Sequence, residues 1–197
     1  MGKLISFTLT SLNGYYKNLS GTIAWHQHGA EETEYSAASL EAGNTLLFGR
    51  VTYEEMAVYW SSQAAFDQAP IIAERMNKAE KIVFSTTLDT PIWHNTRVIG
   101  NNIVEQVKTL KQTSAADMTL LGSGSVVRQF AEAGLIDEYQ LMIDPVAIGG
   151  GATLFAGLKR DLHLTLTHVK PFDSGVILAF YEPRNAESMG SVKTNDN

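Results

Sequence analysis

Apolar residues along this chain fall into short runs separated by longer stretches with helical spacing, the pattern of strands alternating with helices. Leu4 to Thr10 mixes β-branched, aromatic and apolar residues and predicts a first, central strand, which Ser11-Leu-Asn-Gly14 closes with a turn. Asn44 to Phe48, Lys81 to Phe84, Asn95 to Ile99 and Met118 to Leu121 are further runs of the length a buried strand needs. Between them, helices are predicted over Glu31 to Leu40 and, following Gly49-Arg-Val-Thr-Tyr-Glu-Glu55, over a stretch bearing Met56, Val58, Tyr59 and Trp60. Two more are predicted from Pro70 to about Asn77, with proline at the first helical position, and from Ile103 to Gln112, with Val104, Val107 and Leu110 inward.

The stretch from Met118 to Phe155 organises the rest. It reads as a strand, a Gly122-Ser-Gly-Ser125 loop, and a helix with Val126, Val127, Phe130, Ala131 and Leu135 on one face, stopped at Gly134. Leu141, Ile143 and then Pro145-Val-Ala-Ile148 are expected to form the next strand, ending in Gly149-Gly-Gly151, where backbone can approach a ligand closely. Asp161 to Val169 alternates apolar and polar residues as a half-buried antiparallel strand does. Val176 to Tyr181 is its expected hairpin partner across Asp173-Ser-Gly175.

Composition narrows the picture. The 197 residues, 44% hydrophobic, suffice for one globular domain, placed at residues 1–183; the small polar residues of 184–197 are expected to form a disordered tail. A formal net charge of -6 and a pI near 5.3 argue against a nucleic-acid partner. No run has the length of a membrane span or the form of a signal peptide, so a cytoplasmic protein with no membrane partner is expected. The absence of cysteine excludes disulfides, thiol chemistry and cysteine-ligated zinc.

Candidate chemistry concentrates at predicted strand ends. The amides opening a helix lack intrahelical partners and sit at the positive end of its dipole, so Gly122, Ser123, Gly124, Ser125 and Val126 are candidate ligands for a pyrophosphate, with serine hydroxyls as further donors. Gly49 and Arg50 make a second corner of this type, since a guanidinium beside a strand-terminal glycine can take a phosphate in a bidentate grip. Thr52 has two readings there, a ligand contact or a helix cap in a capping box with Glu55. Ser85 and Thr86, with Thr87 beyond them, put hydroxyls at another strand end, either facing a ligand or satisfying a turn. His26 and His28 share a face if extended, yet no third ligand lies near them, so a loop rim or substrate-facing lip is expected and no metal site is assigned. His163 and His168 fall on opposite faces by parity.

Taken in order, Ser11-Leu-Asn-Gly14, Gly49-Arg-Val-Thr-Tyr-Glu54, Gly122-Ser-Gly-Ser125, and Leu135-Ile-Asp-Glu-Tyr139 leading to Pro145-Val-Ala-Ile-Gly-Gly-Gly151 resemble the dihydrofolate-reductase-like superfamily. Within it, the chain is similar to the reductase domain of riboflavin biosynthesis and its stand-alone members over roughly residues 3 to 182. The resemblance implies an α/β fold: a mixed, mostly parallel central sheet flanked by helices, with an antiparallel C-terminal edge strand. It also implies NADPH across the strand ends, hydride transfer to a small heterocyclic or carbonyl substrate such as 5-amino-6-(5-phosphoribosylamino)uracil, and a homodimer. Gly49, Arg50, Thr52, Ser85, Thr86 and residues 122–126 are the implied cofactor contacts, with Arg50, Ser85 and Thr86 around the 2′-phosphate. Asn13, Pro145, Gly149 and Gly150 are the implied substrate contacts. Relatives often carry aspartate where this chain has Asn13, so the one candidate catalytic position holds an amide that cannot titrate. A non-catalytic NADP-binding module therefore stands as an alternative reading. Dihydrofolate reductase proper is another, with Glu31, Glu32 or Glu34 as the acid that would hold a pterin.

Overall fold

The structure is a computed structural model and describes residues 1–26 and 29–184. The elements run β1 (Leu4–Ser11), β2 (Tyr15–Asn18), α1 (Ala30–Glu41), β3 (Thr45–Gly49), α2 (Arg50–Trp60), α3 (Gln63–Gln68), α4 (Pro70–Lys78), β4 (Lys81–Phe84) and β5 (Thr96–Ile99). They continue with α5 (Ile103–Thr113), β6 (Met118–Leu121), α6 (Gly124–Glu132), β7 (Glu138–Asp144), β8 (Gly151–Thr153), β9 (Leu164–Pro171) and β10 (Ile177–Pro183). Residues 185–197 of the expected tail, and His28, lie outside the described residues. Arg184, placed in that tail by sequence, still donates its amide to His163 O at 2.8 Å.

Eight strands form the main sheet in the order β5-β4-β3-β6-β1-β7-β10-β9. The pairs from β5 to β7 are parallel, and β10 runs antiparallel to both β7 and β9. This is the dihydrofolate-reductase-like α/β fold. Strand parity divides the core between two faces. Leu47, Ile82, Phe84 and Leu120 pack with Val107 of α5 and Val126, Val127 and Phe130 of α6. Their neighbours Leu46, Phe48 and Val83 pack on the other face with Tyr53 and Ala57 of α2, Ile72 and Met76 of α4, and Trp93. A third cluster sets Met142 and Leu178 beside Phe172 and Val176, with Tyr35 of α1 against it.

The sequence pattern misplaces several features. Pro145 to Ile148 do not extend the strand: β7 ends at Asp144, and the amide of Val146 turns back to Asp144 O at 2.8 Å. Pro145 has no amide to give a ladder, so the apolar run continues as a loop. That loop leads into β8, which pairs with β2 in a short ribbon too small to leave a periodic signal. α3 was not expected, and Ser62 caps it by accepting from Ala65 N. β9 is antiparallel as expected but not half-buried, since it is the edge strand and all its residues except Leu164 are exposed. At the start of α2 the cap position belongs to Gly49, with no side-chain cap, so the Thr52–Glu55 capping box, one of the two readings of Thr52, does not form.

Candidate functional site

A cleft of about 1050 Å³ runs across the C-terminal ends of β3, β4 and β6. It is at the upper end of the volumes that hold cofactors and drug-sized ligands. Its walls contain the opening residues of three helices: Arg50 to Thr52 of α2, Ile103 and Val104 of α5, and Gly124 to Val126 of α6. None of the three helices has a side-chain cap at its N-terminus. Helix-opening amides without intrahelical partners and three positive dipole ends therefore converge on one space. Of the expected cofactor contacts, Gly49, Arg50, Thr52, Ser85, Thr86 and residues 123–126 all line it, whereas Gly122 does not.

Several of these residues act differently from the expectation. Ser123 is buried, with its backbone in the left-handed region at φ 62°, and its hydroxyl accepts from Gly49 N at 2.8 Å while donating to Thr52 Oγ1 at 3.0 Å. The Ser123 and Thr52 side chains thus lock the two strand-to-helix corners together, and the serine proton expected for a ligand is directed inward. Gly124 has a packing reason as well: a Cβ there would lie 2.7 Å from the Tyr16 ring. Ser85 Oγ accepts from the amides of Thr87 and Leu88 at 3.1 and 3.0 Å, so this hydroxyl shapes its own turn.

Charge at the cleft comes in neighbouring pairs. Arg50 Nη1 donates to Glu54 Oε1 and Oε2 at 3.0 and 2.7 Å, and Lys17 Nζ donates to Glu55 Oε1 and Oε2 at 3.0 and 2.9 Å. Lys17, Glu55 and the loop of Asn101 and Asn102 were missed by the sequence reading. The ribbon that carries Lys17 is irregular, and the pairing to Glu55 spans 38 residues, so no local spacing announced it.

The expected substrate contacts are not part of this cleft. Asn13 Nδ2 donates to Ile148 O at 2.9 Å, and Asn13 Oδ1 accepts from Ile148 N at 3.2 Å and from Ser11 Oγ at 2.9 Å. The amide acts as a surrogate peptide group that ties the turn after β1 to the loop after β7. Gly150 lies beside the Leu19 side chain, and Pro145 beside Gly175. Two of the acidic residues considered for a pterin also have other partners. Glu32 is buried and accepts from Ser174 Oγ, and Glu31 Oε2 accepts from Asp173 N at 2.8 Å, both in the turn between β9 and β10. Near the end of β7, Asp144 instead pairs with His26, a buried contact that spacing did not reveal.

The dinucleotide implied by the resemblance fits this cleft in chemistry: uncapped helix amides suit phosphates, and two cations stand beside them. Among known proteins, the chain is 28% identical over 181 residues to the uncharacterised protein YyaP of Bacillus subtilis strain 168, covering 91% of this chain and 94% of that one. Its fold matches a Shewanella sp. PV-4 protein named for riboflavin biosynthesis with a TM-score of 0.74 at 19% identity, over 93% of this chain and 99% of that one. It also matches dihydrofolate reductase from Enterococcus faecalis, solved with NADP(H), with a TM-score of 0.66 at 14% identity, over 93% and 98% of the two chains. Residues 2–178 match the RibD C-terminal domain model, and with the strand order and strand-end cleft described above the chain belongs to the RibD C-terminal domain family.

Proposed function

We propose that the protein is an NADPH-dependent reductase acting on a small heterocyclic or carbonyl substrate. The observation that carries this reading is the convergence of three uncapped helix N-termini on one cleft that also contains Arg50 and Lys17. Bound NADPH would supply the hydride. The chain's own part is to hold phosphates on the first-turn amides of α2, α5 and α6, and to set the spacing of the α2 and α6 corners through the Ser123–Thr52 bond. Arg50, with Ser85 and Thr86 on the same cleft, would take the 2′-phosphate that distinguishes NADPH from NADH.

The second reading, a binding module without turnover, draws support from Asn13, whose amide is engaged by Ile148 and can neither titrate nor supply a proton. One experiment separates the two. NADPH is titrated into the protein, and oxidation is then followed with pterin, pyrimidine and dicarbonyl acceptors. Acceptor-dependent oxidation supports the reductase, saturable binding without oxidation supports the module, and absence of binding rejects both. We also propose a homodimer, for which the exposed Leu166, Val169 and Ile177 of the β9–β10 edge offer an apolar surface. A monomeric mass in solution at micromolar concentration would reject it.

A further inference from the structure

Tyr16 and Lys17 reach the cleft from the β2–β8 ribbon, outside the main sheet. The Tyr16 ring packs so closely on Gly124 that a Cβ would clash with it, which fixes the ribbon against the first turn of α6. The next side chain, Lys17, extends to α2, where its ammonium meets the Glu55 carboxylate at 2.9 Å. The lysine side chain is 17% exposed and the glutamate side chain 54% exposed. A pair this open on its acidic side is screened and contributes little to stability. Lys17 and Arg50 are the cations among the described residues lining the cleft, and each has a counter-ion on successive residues of α2, Glu55 and Glu54. A cleft that gathers helix-opening amides has its own cations neutralised by two replaceable carboxylates.

We infer that Lys17 is a phosphate-binding residue that is held by Glu55 until a dinucleotide arrives, and that its ammonium then moves from the carboxylate to the pyrophosphate at the N-terminus of α6. The inference rests on the cofactor reading above and adds a residue and a competitor to it. The lysine stem is flexible, and the phosphate offers a charge-assisted hydrogen bond beside amides that already favour an anion. The Tyr16 ring on Gly124 keeps the ribbon that carries Lys17 beside the first turn of α6, and both residues line the same cleft. Two consequences follow from the chemistry. Pyrophosphate is common to NADPH and NADH, so Lys17 strengthens both alike, unlike a residue at the 2′-phosphate. Glu55 opposes binding, so its removal strengthens both.

The test measures dissociation constants of NADPH and NADH for the full chain as wild type, Lys17→Met, Glu55→Gln and the double variant, with ligand-free melting temperatures alongside. Lys17→Met is expected to weaken both cofactors about tenfold, at the low end for a hydrogen bond to a charged group. Glu55→Gln is expected to tighten both roughly two- to fivefold, the range of an exposed ion pair, and that gain should vanish in the Lys17→Met background. Lys17→Arg should retain most of the affinity. If Glu55→Gln weakens binding or leaves it unchanged while wild type binds normally, the exchange is wrong and the cofactor reading survives. If wild type binds neither cofactor, both fall.

Discussion

His26 Nδ1 lies 2.9 and 2.8 Å from the two carboxylate oxygens of Asp144, and the side chains are only 2% and 3% exposed. The contact joins the segment before α1 to the last residue of β7, across 118 positions of sequence. Asp144 is also the register partner of Ser11, so the pair holds that segment over the point where β1 turns toward Asn13. Asp144→Ala removes a charged acceptor from a shielded site and should lower unfolding free energy by about 1.5–3 kcal/mol, with Asp144→Asn costing less. Denaturant unfolding checks it; a loss below about 0.5 kcal/mol, the size of an ordinary surface change, would mean the pair is not a structural tie.

This pair marks where reading the sequence stops. The strands of the main sheet were legible because each is a short apolar run, and two strand-to-helix corners because Gly49 and Gly122 to Ser125 break those runs. In sequence the residue His26 has only His28 beside it as a chemical neighbour, while its acid, Asp144, lies at the end of another strand. The same limit explains Ser123, whose hydroxyl was read as a ligand donor although its partners are 74 and 71 residues away. Asn13 was legible as a turn residue, and its grip on Ile148 depends on a loop whose path Pro145 obscures. Local pattern carries periodicity and turns; which polar groups satisfy each other is decided only when strands assemble.

Ser123→Ala tests the lock between the corners. The Gly49 amide would lose its acceptor in a buried position, a loss of about 1–3 kcal/mol, and alanine would remain in the unfavourable left-handed conformation. Equilibrium unfolding should show the loss, and NADPH affinity should fall as the α2 and α6 openings lose their fixed spacing. Unchanged affinity in a destabilised but folded variant would separate the lock from cofactor binding.

Arg50→Ala should weaken NADPH about tenfold or more and leave NADH nearly unchanged, because one charge-assisted hydrogen bond contributes about 1.5–3 kcal/mol. Its side chain is half-exposed and already held by Glu54, so the lower end applies and the effect should shrink as salt rises. Titration of both cofactors at two ionic strengths decides it. An equal loss for NADPH and NADH would place Arg50 at the pyrophosphate or in the fold, not at the 2′-phosphate.

Lys81 sets a pH dependence of stability at the other end of the sheet. Its side chain is buried, donates to Ala79 O at 2.6 Å and Asn77 O at 3.2 Å, and lies 4.5 Å from the centre of the Trp93 ring. Desolvation lowers its pKa from 10.5 to about 8. Below pH 8 both folded and unfolded chains hold the proton, and the cost of burying the charge is fully present. Between about 8 and 10.5 the folded state releases it first, so the unfolded state binds more protons and stability rises with pH, on the order of 3 kcal/mol in total. Burial shifts Tyr35 and Tyr139 upward, which works the other way: they stay protonated when folded and reduce stability as pH passes 10. Comparing wild type with Lys81→Met cancels those tyrosines. The methionine variant should lack the rise, so the stability difference between the two proteins should shift toward wild type between pH 8 and 10.5. Parallel stability curves across that window would show that Lys81 titrates alike in both states and that the buried ammonium costs the fold nothing.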